Sequence, residues 1–274
     1  MTDVLVRRCG AEFTVDLSSP LSLAIPLDFD GAQPNYFGAP QAHAESLRDG
    51  HFIGDVRQGG SVNCEKLSLV AHCNGTHTEC VGHVTEDRVV INEVITGTLF
   101  LTRVISLQPV AIGDTPEAID GHRPPSELVV TETALIQALA RWPGRSDAVI
   151  VRTLPNHSDK LSAHYLGEAP APYFTPRAAR YLAEQAIDHL VVDLPSLDRA
   201  HDDGRLLAHR AFWGMDEHET RASAARRPQA TITELAWIAP TVADGWYLLN
   251  LQIPPFMSDA APSRPILYRA RRHE

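Results

Sequence analysis

The run AVIVRTL at residues 148–154 constrains the fold more than any other part of the chain. A strand with one wet face alternates polar and apolar side chains. Here Ala148, Val149, Ile150 and Val151 follow one another without a polar residue, so both faces need cover, as in a strand inside a sheet packed on each side. HLVVDLPS at 189–196 reads as a second strand. The helices that could cover such strands are also legible. TETALIQALARW (131–142) ends at Pro143–Gly144, a stop signal. PRAARYLAEQAI (176–187) has Thr175 as a suitable N-cap, Pro176 at the first helical position, and Ala178, Leu182 and Ala186 along one face. GRLLAHRAFWG (204–214) reads as a short helix carrying His209.

The remaining patterned segments read as strands: EFTVDLSS (12–19), KLSLVAHC (66–73), RVVINEV (88–94), LFLTRVISLQPV (99–110), TITELAWI (231–238), GWYLLNLQI (245–253) and PILYRARR (265–272). The Pro- and Gly-rich stretch from Pro26 to Pro40 excludes regular structure, and MDEHETRASAARRPQA (215–230) reads as a mobile insertion. Strands outnumber helices, and the helices are inserted singly. That predicts an α/β fold with a mixed β-sheet core and flanking helices. No segment reads as a linker, so residues 1–274 are expected to form a single domain.

With 24 basic and 34 acidic residues the formal charge is −10, which argues against nucleic acid or an anionic membrane surface as the partner. No apolar run approaches a membrane span, and the N-terminus has no secretory pattern. Cys9, Cys64, Cys73 and Cys80 form no CxxC pair and read as reduced thiols, with Cys80 as a packed small side chain. A cytoplasmic location is the expectation.

Chemistry concentrates in HCNGTHTECVGHV, residues 72–84, which holds three histidines, two cysteines and a glutamate. Imidazole, carboxylate and thiolate are the side chains that zinc accepts. His77 and Glu79 are two apart, so in an extended segment they share a face. Gly75 allows a sharp turn before them, and His83 follows Gly82, placed to approach the same point without being a ligand. A polar turn rich in histidine is the competing reading of these residues alone. Elsewhere, Phe29, Tyr36 and Phe37 could form an aromatic wall for an aryl substrate or simply pack a loop. Asp193, Ser196 and Asp198 set a turn at a strand end or position water or substrate. His157 and His164 read as solvent-exposed.

GTHTECVGH resembles the core of the kynurenine formamidase and cyclase family, whose motif runs His-x-Gly-Thr-His-x-Asp-x-x-x-His. The resemblance extends, in the family's order, over DLSSPLSLAIPLDF (16–29), AVIVRTL, PYFTPRAARYLAEQAIDHLVVDLPSLD (172–198), LAHRAFWG (207–214) and TITELAWI. It implies a swivelling β/β/α-type fold, a homodimer or higher homo-oligomer, and one or two divalent ions, zinc with manganese as the other candidate. The implied activity is hydrolysis of a carbon–nitrogen amide bond, as in an arylformamidase converting N-formylkynurenine to kynurenine and formate in tryptophan catabolism. Hydrolysis of another small aryl or cyclic amide such as isatin is the alternative, and a metal-free family member used for binding or structure is a third reading.

Carried over by position, the resemblance implies His77 as a ligand, Glu79 in place of a ligand aspartate, His83 as general acid/base, and His209 and Glu234 as the late ligands. Two departures stand out. Glu79 is one methylene longer than aspartate. The first histidine of the motif lies four residues before the Gly-Thr-His histidine, whereas His72 lies five before His77 and Cys73 lies four before it. Either a bulge absorbs Asn74 and His72 is the ligand, or Cys73 replaces it as a thiolate. The 215–230 insertion must loop out if His209 and Glu234 are both to reach the site.

Overall fold

The computed structural model describes residues 3–117, 123–165 and 170–273. Ten of its strands carry the argument: β1 (Asp3–Arg8), β2 (Ala11–Asp16), β3 (His77–Glu79), β4 (Leu99–Leu107), β5 (Ala148–Thr153), β6 (His189–Val192), β7 (Thr231–Glu234), β8 (Gly245–Asn250), β9 (Ala260–Pro262) and β10 (Ile266–Arg272). They lie side by side in the order β1-β2-β10-β8-β4-β5-β6-β7-β3-β9, and the two-residue strand Leu21–Ser22 pairs with β10 to complete an eleven-stranded sheet. The four central strands, β4 to β7, are parallel; both flanks are antiparallel. This is the mixed α/β sheet that the strand and helix pattern predicts.

The covered run behaves as its composition requires. Every residue of β5 is buried. Val149 and Val151 face one apolar cluster, which contains the helices α2 (Glu132–Ala140), α3 (Pro176–Glu184) and α4 (Leu207–Trp213). Ala148 and Ile150 face a second cluster with Leu23, Ala236, Ile238 and Leu249. Burying each such valine or isoleucine contributes roughly 1.5–3 kcal/mol. Both helix caps form as the sequence predicts: Thr131 accepts from Ala134 N at 3.2 Å, and Thr175 from Ala178 N at 3.0 Å.

Three predicted segments differ. KLSLVAHC is not one half-buried strand: only Glu65–Ser68 is extended, exposed on both faces and paired with His43–Ser46. Residues 71–74 instead turn around Val70, whose carbonyl accepts from Cys73 N and Asn74 N while its N–H donates to Asn74 Oδ1 at 2.6 Å. RVVINEV is not a strand either. Ile91–Val94 forms one helical turn, α1, with Ile91 N bonded to Ser258 O. The 215–230 stretch is not a mobile insertion but a packed one. Met215, Ala225 and Ala230 are buried, and the Arg227 guanidinium donates to the Phe212 and Ile187 carbonyls. LFLTRVISLQPV also breaks after Leu107, and Val110–Ala111 joins a separate three-stranded sheet. Among the described residues no helix is long and apolar enough to cross a membrane.

Candidate metal centre

Strand β3 lies between β7 and β9, and its three residues are completely buried. Alternation turns Thr78 away, where its hydroxyl meets Thr233 Oγ1 at 2.7 Å, and leaves His77 and Glu79 on the other face. Antiparallel register sets Glu234 directly opposite His77, and their side chains approach to 3.4 Å between Nε2 and Oε2. Helix α4 brings His209 from above, with Nε2 2.9 Å from Glu79 Oε1 and 3.2 Å from Glu234 Oε1. The 215–230 stretch therefore does not keep the two late residues apart: α4 and β7 converge on β3.

The corner left open between His72 and Cys73 has a local cause. The 71–74 turn, sealed by Asn74, accommodates the extra residue before Gly75, so strand alternation does not govern the direction of His72. Its Nδ1 lies 3.0 Å from Glu79 Oε2. Cys73 is buried at the cavity wall but joins none of the clusters of possible metal-holding side chains among the described residues. Those clusters are His72, His77 and Glu79; Glu79, His83 and His209; and His72, His83 and Asp259. His83, carried on the short 3₁₀ turn Val81–Val84, places Nδ1 3.9 Å from Glu79 Oε2.

Four buried atoms at the centre make no hydrogen bond: His77 Nε2, His209 Nε2 and both carboxylate oxygens of Glu79. Unpaired buried polar atoms cost roughly 1–3 kcal/mol each, more when charged, so four converging on one point need an explanation. The opposite nitrogens of the two histidines are engaged. His77 Nδ1 meets Gly75 O at 2.9 Å, and His209 Nδ1 meets Asp198 Oδ2 at 2.7 Å, which directs each Nε2 inward. These residues fit a divalent cation bound by imidazole nitrogen and carboxylate oxygen.

Electrostatics agrees with that fit. Burial works against charge on Glu79, yet the neighbouring His83 and His209 hold its carboxyl well below the usual range. Burial likewise opposes a charged His209, but Glu79 and the bond to Asp198 raise it well above an ordinary histidine. His72 is pushed up to about 10, because the neighbouring Asp259 and Glu79 carboxylates outweigh burial. Two buried carboxylates among imidazoles need compensating positive charge, supplied either by protons on the rings or by a cation that displaces them.

A cavity of about 630 Å³ opens onto this centre, lined by Tyr36, Phe37, Val70, His72, Cys73, His83, Ser196 and Glu234 among others. Tyr36 and Phe37 form a tilted aromatic pair with centroids 4.3 Å apart. Phe29 is half-buried and does not line the cavity. Burial, with Glu234 nearby, pushes the Tyr36 hydroxyl upward, so it stays a neutral donor. His157 and His164 are exposed, and Cys80 is fully buried with its thiol pushed up to about 12 by burial.

Two acidic residues acquire roles that sequence patterns did not indicate. Asp198 does more than shape a turn: it accepts from the Ala208 and His209 amides at 2.8 and 3.0 Å, capping α4 while orienting His209. Asp259 was not a candidate at all. It sits in PPFMSDAAP, a stretch with no histidine or cysteine nearby in sequence, and its Oδ2 lies 2.8 Å from His72 Nε2.

The comparisons with known proteins concern both sequence and fold. No curated protein sequence matches significantly. Solved structures of similar fold include a "predicted metal-dependent hydrolase from Bacillus stearothermophilus", with a TM-score of 0.55 and 17% identity, covering 91% of this chain and 98% of the other. Isatin hydrolase A from Labrenzia aggregata bound to benzyl benzoate aligns with a TM-score of 0.59 and 14% identity, over 91% of this chain and 93% of that one. An isatin hydrolase bound to the product analogue thioisatinate aligns at 0.60 and 12%, over 92% of both. At these identities the likeness establishes the fold. The family model described as "Putative cyclase" matches residues 15–199, about two thirds of the chain and including the whole 72–84 motif. The chain belongs to this cyclase family.

Proposed function

We propose that the protein is a metal-dependent hydrolase of a carbon–nitrogen amide bond, acting on an aryl formamide such as N-formylkynurenine. The observation that carries this reading is the set of four buried atoms on His77, Glu79 and His209 that make no hydrogen bond, next to His72, His83 and Glu234 of the cavity wall. His72, His77, Glu79, His209 and Glu234 would hold one or two divalent ions. Glu79 turns Oε2 toward His72 and Oε1 toward His209, so it is central to the donor set. Zinc suits this nitrogen and oxygen donor set, and manganese is the other candidate.

When bound, a divalent cation supplies a Lewis acid that polarises a carbonyl and lowers the pKa of water toward ~7. His83 takes the proton from attacking water at Nδ1, the nitrogen that faces Glu79, and returns it to the departing amine. The Tyr36–Phe37 pair gives the aryl ring an apolar wall. Tyr36, held neutral, donates a hydrogen bond inside the cavity. The four cysteines, all unpaired, agree with a reducing cytoplasm. The exposed Leu47, Val56, Leu67 and Leu69, between residues 43 and 70, are the surface that a second copy would cover in a homodimer.

A second reading, opening of a cyclic amide such as isatin, is favoured by the isatin hydrolases among the structures of similar fold. The test is metal analysis of protein purified without chelator, followed by turnover of N-formylkynurenine and of isatin. Absence of metal, with no effect of added zinc or manganese, would sink both hydrolase readings. Turnover of isatin alone replaces the first with the second. His83→Ala should keep its metal and lose roughly 10²–10⁴-fold in turnover; unchanged turnover removes His83 from the mechanism.

A further inference from the structure

His72 stands on the 71–74 turn, with neither strand nor helix to aim its ring. Among the described residues, its ring meets carboxylates at both nitrogens. Nδ1 lies 3.0 Å from Glu79 Oε2, and Nε2 lies 2.8 Å from Asp259 Oδ2. The ring also stacks on His83, with centroids 4.2 Å apart and planes at 29°, and the same Asp259 oxygen lies 3.5 Å from His83 Nδ1.

Asp259 is itself placed by the sheet. It immediately precedes Ala260, the residue of β9 paired with Glu79, and its carbonyl accepts from Cys80 N at 3.0 Å. The preceding carbonyl, Ser258 O, accepts from Ile91 N at 2.8 Å. Gly82 permits this approach: a Cβ there would lie 3.2 Å from Asp259 Cβ and 2.2 Å from Val89 O. The carboxylate is thus delivered by a clamped backbone onto a histidine whose own backbone is a turn.

We infer that Asp259 is a positioning residue for the metal centre: it holds the proton of His72 on Nε2 and presents Nδ1 toward Glu79 as the coordinating atom. The physical basis is that the partner of one imidazole nitrogen decides what the other can do. His77 and His209 receive that service from Gly75 O and Asp198. Asp259 performs it for His72, from residues about 190 positions away in the chain. The inference rests on the metal-dependent reading above.

The test compares wild type, Asp259→Ala and Asp259→Asn in zinc affinity, by competition with a chromophoric chelator, alongside thermal melts. Loss of a partner of this kind typically costs about 10–100-fold in metal affinity, and that loss is expected for D259A with a retained cooperative melt. Asparagine keeps an acceptor oxygen at the same reach, so D259N should recover most of the affinity. In ¹⁵N spectra of the zinc-loaded wild type, His72 should carry its proton on Nε2, and D259A should lose that single arrangement. Equal affinity in all three proteins, or equal weakness of Ala and Asn with His72 unchanged in the spectrum, overturns the inference and leaves the hydrolase reading standing. Failure of the wild type itself to bind zinc overturns both.

Discussion

Glu79→Gln is the sharpest single perturbation of the proposed centre, because it keeps the side chain's size while removing its charge and one of its two acceptor oxygens. Glu79 is completely buried; His209 Nε2 and His72 Nδ1 lie 2.9 and 3.0 Å from its oxygens, and His83 Nδ1 lies 3.9 Å away. Removing one partner of a buried charge pair costs about 3–5 kcal/mol, since the other charge stays buried and uncompensated. Applied to a cation held by Glu79, that is a loss of roughly 10²–10³-fold or more in affinity. Zinc at about 1,000 times the wild-type dissociation constant would stabilise the native protein by ~4.1 kcal/mol. A 100- to 1,000-fold weaker variant would gain only about 0.4–1.4 kcal/mol at the same zinc concentration. At roughly 2–4 °C per kcal/mol for a chain of this size, zinc should raise Tm by about 8–16 °C in the wild type and by about 1–6 °C in E79Q. Differential scanning calorimetry with and without zinc reads this directly. An equal zinc-induced rise in both proteins would refute the assignment of Glu79 as a ligand.

The choice between neighbouring side chains is open to the same assay. Cys73→Ser should leave the zinc-induced rise in Tm nearly intact, while His72→Ala should remove most of it; the reverse order would make Cys73 the ligand. Away from the centre, His189 is buried with Nδ1 against Thr231 Oγ1, and burial pushes its pKa down to about 4. The folded state therefore keeps it neutral while the unfolded chain takes up a proton below about 6.5. Its contribution to stability is present above that pH and is lost as pH falls toward 4, approaching ~3 kcal/mol. In chelator, His189→Gln should flatten the pH dependence of denaturant unfolding between those values, and parallel wild-type and variant curves would contradict this.

Much of the sheet was readable because its signals are local. AVIVRTL names a doubly covered strand by composition, and Thr175–Pro176 marks a helix start by capping chemistry; both stand as read. KLSLVAHC misleads for a physical reason: alternation is equally compatible with an exposed ribbon, and nothing local shows that Asn74 captures Val70 N–H to make a turn. RVVINEV has β-branched residues yet closes one helical turn, where Ser258 O from a distant segment takes the Ile91 amide.

The site divides along the same line. Sequence alone carries the chemistry of the 72–84 motif, since residue identity and two-residue spacing place His77 and Glu79 on one face whatever the rest of the chain does. The family resemblance brings in His209 and Glu234 by position. Tertiary structure decided what depends on convergence: His72 rather than Cys73 beside Glu79, Asp198 behind His209, and Asp259 behind His72. A carboxylate delivered by strand pairing from about 190 residues away leaves no periodicity or motif in the sequence around its target. Only the register of β9 against β3 brings it there.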